Sequence, residues 1–101
     1  MAQKQYLIPL QIQEEIATRI NVFNKKRCCN YSFQIKGKFI YLLRDGTPIC
    51  RCTYNGDLED MDFAIYKYSS EKYDPKEFCF PGAECINGTV EGAMKAGLKA
   101  Y

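Results

Sequence analysis

Apolar residues along this chain follow two rhythms. Ile12, Ile16, Ile20 and Phe23 recur at spacings of four, four and three, which lays one apolar stripe along a helix of about four turns. Pro9 suits the first turn of that helix, and Gln13, Glu14, Thr18, Arg19 and Asn21 take its wet side. From Tyr31 to Ser70 the period changes to two. The runs YSFQI, KFIYLL, PICRCTY and MDFAIYKYSS are dense in aromatic and β-branched residues, and a turn signal closes each one. The longer period returns with Val90, Ala93, Met94, Gly97, Leu98 and Tyr101. These rhythms predict an α+β fold: an N-terminal helix, a four-stranded antiparallel β-meander, and a C-terminal helix packed on the sheet. Residues 1–101 read as one domain, and the chain is long enough to bury one core.

Turn chemistry refines the meander. Lys36-Gly37 is the expected first turn, which sets Phe33 opposite Ile40 and Tyr31 opposite Leu42. With Ile35 these make one apolar face, while Ser32 and Gln34 look out beside Phe39 and Tyr41. Asp45-Gly46 is a strong hairpin signal, and Pro48 suits a strand start. In the third strand Ile49, Arg51 and Thr53 share one face, and Cys50, Cys52 and Tyr54 the other. In the fourth, Phe63, Ile65 and Lys67 alternate with Ala64, Tyr66 and Tyr68. Both faces of the sheet therefore carry aromatics. Either the tail covers the second face or it is an exposed aromatic platform.

Residues 1 to 8 read as an extended lead-in. Residues 71 to 87 read as a loop with a short strand or turn at Glu77 to Phe80, in which Phe78, Phe80 and Ile86 pack down on the sheet. Gly88 or Thr89 opens the last helix, where Gly92, Ala96 and Ala100 allow close approach to a neighbour.

Charge narrows the partners. Lys plus Arg number 14 against 12 Asp plus Glu, a net +2 that provides no broad attraction for phosphate backbones or anionic lipid. A nucleic-acid role would need a local patch. The sequence contains no His, which removes the commonest general base near neutral pH and a common metal ligand. No apolar run reaches the roughly 20 residues that span a bilayer, and MAQKQYLIPLQIQ lacks a signal-peptide pattern. The expectation is a cytoplasmic protein without a membrane partner.

Six cysteines, Cys28-Cys29, Cys50-x-Cys52 and Cys79-x5-Cys85, contain no C-x2-C pair. They read as free, mainly inert thiols rather than a zinc site or a disulfide framework, although KKR beside Cys28 and Cys29 is a setting that lowers a thiol pKa. Asp57, Glu59, Asp60 and Asp62 read as a solvated acidic turn, since they lack calcium-loop spacing. The glycines of NGTVEG read as helix entry, without the pattern of a phosphate loop. No metal or cofactor site is expected.

Pro9-Leu10, the Ile-rich helix ending FNKKR, then YSFQIKGKFIYLLR, PICRCTY and MDFAIYKYSSEKYD resemble a family of small bacterial domains of unknown function. The resemblance covers roughly residues 9 to 74. It departs from that family in having Met61 and Phe63 where tryptophan is common. It implies a fold type and no site.

Without a catalytic set, the leading expectation is a small non-enzymatic protein-binding or interaction module, with a second copy of the chain among its candidate partners. The binding residues singled out are Lys25, Lys26 and Arg27 at the helix end, and Phe39, Tyr41, Tyr66 and Tyr68 on the strands. Two other classes stand beside it. One is a nucleic-acid-binding module using those residues with Lys36, Lys38 and Tyr73. The other is a thiol-based redox protein using Cys28 or Cys29.

Overall fold

The computed structural model describes residues 8–77 and 79–101. Helix α1 (Leu10–Arg27) leads into strands β1 (Tyr31–Lys36), β2 (Phe39–Arg44), β3 (Thr47–Thr53), β4 (Asp62–Lys67) and β5 (Lys72–Asp74), and helix α2 (Val90–Ala100) ends the chain. The strands form one antiparallel sheet in the order β1-β2-β3-β4-β5. The α+β class, the two flanking helices and the antiparallel meander are as the sequence predicts. The sheet has five strands rather than four. Tyr68 to Glu71 turn back on β4, and Glu71 takes a left-handed φ of 56°, so Tyr73 pairs with Tyr66 in a three-residue edge strand. That strand is too short to show a period, so residues 72–74 read as loop. The strand or turn expected at Glu77 to Phe80 shows no strand among its described residues, and Phe78 lies outside them, as do residues 1–7 of the lead-in.

Both helices pack on one face of the sheet. Ile16, Ile20 and Phe23 of α1 and Val90, Ala93, Met94 and Ala96 of α2 are buried there with Tyr31, Ile40, Leu42, Cys50, Cys52, Phe63 and Ile65. Phe80 and Ile86 reach the same core, and the Phe80 ring stacks on Phe63 at 6.2 Å. The tail therefore serves the helix side. No described element lies over the opposite face.

Two register details differ from expectation. The first hairpin turns at Gly37-Lys38, with Lys36 opposite Phe39, because Gly37 (φ 60°) takes the first central position, where this kind of two-residue turn favours glycine. Phe33 thus faces Leu42 and Ile35 faces Ile40. The slide is two residues, an even number, so every side chain keeps its predicted face. In the second hairpin Asp45 (φ 54°) and Gly46 (φ 80°) both go left-handed, as a mirror-image turn requires.

The second detail is a bulge. Leu42 pairs with Cys50 and Leu43 with Pro48, leaving Ile49 as the extra residue. Ile49 therefore turns into the core, 1% exposed, instead of sharing the outer face with Arg51 and Thr53. Sequence alternation cannot show a skipped residue.

The helix layer is fastened by Arg19. Its guanidinium donates to both Glu91 carboxylate oxygens at 2.8 and 2.7 Å and to Glu59 at 3.0 Å, joining α1, the β3–β4 connection and α2. Glu59 and Asp57 are thereby committed to structure, since Asp57 also accepts from the Glu59 backbone N–H. Thr89 caps α2, its hydroxyl accepting from the Gly92 N–H at 3.0 Å.

Candidate functional site

Strand alternation sends Gln34, Phe39, Tyr41, Arg51, Ala64, Tyr66 and Tyr73 to the face away from the helices. Their rings make an unbroken ladder. Phe39 meets Tyr41 at 6.1 Å, Tyr41 meets Tyr73 at 5.3 Å, Tyr73 meets Tyr66 at 5.0 Å, and Tyr66 meets Tyr68 at 4.9 Å. Tyr101, at the end of α2, closes it against Tyr68 at 5.2 Å and donates its hydroxyl to the Tyr66 carbonyl. Tyr41 and Tyr73 stand on β2 and β5, with β3 and β4 between them. They reach each other because Ala64 at the centre is small, and Ala64 is buried at 2% exposure on this face. Most of these contacts are edge-to-face, the geometry that ring quadrupoles favour. The rings prop one another in fixed orientations and remain partly open, with Tyr68 and Tyr101 nearly half exposed.

Cations sit over the same rings. The Arg51 guanidinium lies 4.6 Å from the Phe39 ring centre and 5.4 Å from that of Tyr73, clamped between them. Lys38 also lies over Phe39, at 5.6 Å, and Lys36 over Tyr41, at 5.8 Å. None of the ion pairs among the described residues involves these three cations. Arg51 Nε is buried and has no hydrogen-bond partner among the described residues. Burial pushes the Tyr68, Tyr73 and Tyr101 hydroxyls above their ordinary range, so these residues stay neutral donors at physiological pH. The positive charge on this face is therefore not offset by these three tyrosines.

The seven predicted binding residues fall into two groups on opposite sides of the sheet. Phe39, Tyr41, Tyr66 and Tyr68 come together on the ladder. Lys25, Lys26 and Arg27 occupy the last turn of α1, where they complement the helix dipole. Arg27 lies over Phe23 at 5.6 Å, and with Lys26 it lines a cleft of about 270 Å³ between α1 and α2. Lys67 points to the helix side, paired with Glu77 at 3.2 Å and near Asp74. Arg51 and Tyr101 were not singled out from sequence. Arg51 alternates in phase with Thr53 on a strand beside Tyr41, a signal for the outer face, but the bulge hides which rings it meets. Tyr101 reads as the last apolar position of a helix stripe and emerges instead as the ladder's end.

The thiols do not converge on a reactive site. All six cysteines are free, Cys50 and Cys52 fully buried. Burial pushes the Cys50 thiol well above its usual range and Cys52 up to about 12. At Cys29 burial also raises the thiol, outweighing the nearby Arg44 and Arg27 that lower it. Among the described residues no group of His, Cys, Asp or Glu is arranged to hold a metal ion, and no helix is long and apolar enough to cross a membrane. Compared with family models, with curated proteins and with solved structures, the chain shows no match, so the resemblance of residues 9 to 74 rests on those residues alone.

Proposed function

We propose that this protein is a non-enzymatic binding module whose working surface is the outer face of the sheet. The observation that carries this reading is Arg51, a guanidinium clamped between Phe39 and Tyr73 with no ion-pair partner among the described residues. The two rings stabilise this cation, but the fold leaves its charge without a carboxylate and its buried Nε without a partner among the described residues. Such a cation among fixed rings suits recognition of an incoming group. The ladder supports the same reading, because side chains already locked by their neighbours lose little freedom when a partner docks.

A photo-crosslinking phenylalanine analogue in place of Tyr41, with a control in place of Lys95 on exposed α2 surface, tests the assignment in cells. Adducts at position 41 that disappear on Arg51→Met, with none at position 95, are the expected result. No adduct at position 41, or equal adducts at both positions, overturns the outer face as the working surface.

A further inference from the structure

Resting on that reading, we infer that the partner of the outer face is a single strand of nucleic acid, its bases stacked on the tyrosine ladder and its phosphates beside Lys36, Lys38 and Arg51. Three observations select this occupant. The first is charge. The three cations sit directly over ladder rings and carry no ion pairs among the described residues, so an anionic ligand meets both at once. The ladder is built of Phe and Tyr side chains and contains no carboxylate.

The second is composition. Apart from half-buried Leu43 and Pro48 and the covered Ala64, the apolar surface here is aromatic, with Ser32, Gln34, Thr53 and tyrosine hydroxyls between and one exposed carboxylate, Asp62, opposite Thr53. Stable self-association favours a more hydrophobic interface, whereas base stacking asks for rings and tolerates polar surroundings. The third is shape. The sheet face under the rings spans about 14 Å from β2 to β5 at ordinary strand spacing, with the Tyr41 and Tyr73 rings leaning together over it at 5.3 Å. That is room for the two or three bases a sheet face holds. Stacking on rings needs bases whose faces are free, which a paired duplex keeps inside its own stack, so the strand is single.

Fluorescence anisotropy of labelled oligothymidine and oligouridine with the intact protein tests the inference. Binding is expected at about 50 mM salt, with log K falling against log salt at a slope of about −2 for three phosphate contacts on a single strand. Arg51→Met and Lys36→Ala should each shrink that slope by about 0.7. Tyr73→Leu should weaken binding about tenfold through lost stacking. Lys26→Ala, in the cleft on the helix side, should change neither. Lys36 is exposed at a turn, so its variant reports even if a ladder variant folds poorly. Absence of binding at low salt overturns the inference, as does preference for duplex, or binding that survives the ladder variants and is lost with Lys26→Ala. Crosslinking then separates the two levels. Protein adducts at position 41 retain the working face and assign it to a protein or a second copy, and no adduct there overturns both.

Discussion

Gly97 of α2 lies so close to Ile49 of β3 that a methyl group on its Cα would sit 2.5 Å from the Ile49 Cγ2 and equally close to the Tyr31 hydroxyl oxygen. Two oddities of the chain explain each other here. A glycine in mid-helix costs about 1 kcal/mol of propensity, and a bulge turns an extra residue inward. The glycine makes room for the bulged isoleucine. The Tyr31 hydroxyl uses the same gap to donate to the Met94 carbonyl at 2.9 Å, tying β1 to α2.

Gly97→Ala is therefore expected to destabilise. At an exposed helical site the change would gain about 1 kcal/mol, but overpacking against the Ile49 side chain and the Tyr31 hydroxyl costs about 1–3 kcal/mol. Chemical denaturation of Gly97→Ala, read in a cycle with Ile49→Ala, which removes the Ile49 Cγ2, gives the sign and the coupling. A raised midpoint in the single variant would mean that α2 stands further from the sheet than described.

Met94 is the anchor of α2. It is fully buried, whereas Leu98 is only partly buried at the margin of the core and Tyr101 is nearly half exposed. Periodicity weights Met94 and Leu98 alike, but the close approach at Gly97 centres the buried stripe on Val90, Ala93, Met94 and Gly97. Met94→Ala should cost about 2–5 kcal/mol, as for other buried large-to-small changes, and Leu98→Ala clearly less. Equal costs in urea would place the helix in a different rotation.

Much of this fold was legible in the chain because its signals are local. The isoleucine stripe, the Asp45-Gly46 turn and the α2 stripe each reside in a dozen residues or fewer, and they fix which face each strand residue takes. What failed depends on pairing between segments. The bulge at Ile49 is a property of two strands together, and β5 exists because Tyr73 finds Tyr66. The candidate site divides in the same way. Alternation placed Phe39, Tyr41, Tyr66 and Tyr68 on one face, but KKR reads as basic whichever side of the sheet it lies on, and only packing puts it across from the rings. Arg51 becomes conspicuous only when its neighbours prove to be Phe39 and Tyr73 rather than a carboxylate.

Stability should have an acid limb set partly by Glu91. Burial pushes the Glu91 carboxyl up, but hydrogen bonds and charge from Arg19 hold it below the ordinary carboxylate range overall. A folded-state pKa below the unfolded one means stability is fully present above the unfolded value, about 4.3, and is lost as pH falls through the folded value. Because the Glu91 side chain is 35% exposed, solvent screening limits its share to about 1 kcal/mol. Glu91→Gln should be less stable at pH 7 and converge on the parent as pH falls through the folded-state value, a gap that denaturant midpoints across pH will show. A constant gap would assign the effect to packing.

Alkylation at neutral pH should divide the six thiols by burial. Cys28 and Cys79 are exposed, and Cys29 and Cys85 are half-buried. Cys50 and Cys52 are sealed, with burial holding both in the thiol form. Mass spectrometry should find Cys50 and Cys52 unlabelled until denaturant is added, while the exposed pair reacts first. Rapid native labelling of Cys52 would mean that the core between the sheet and α2 opens readily.

The sharpest separation of binding from folding is at Arg51. If the clamp is structural, losing it removes cation–π contacts with Phe39 and Tyr73 and should destabilise by about 1–2 kcal/mol. If the charge is held for a partner, the fold carries a partnerless buried Nε–H at a cost of about 1–3 kcal/mol, and Arg51→Met replaces it with a flexible apolar chain that packs against the same rings. The two contributions nearly cancel. Arg51→Met is expected to unfold at the parent's midpoint or as much as about 1 kcal/mol above it, while losing the crosslinks at position 41. Denaturation and crosslinking on the same preparation decide between the two roles. A variant destabilised by more than about 1 kcal/mol would make Arg51 a strut of the sheet and leave the ladder without its binding charge.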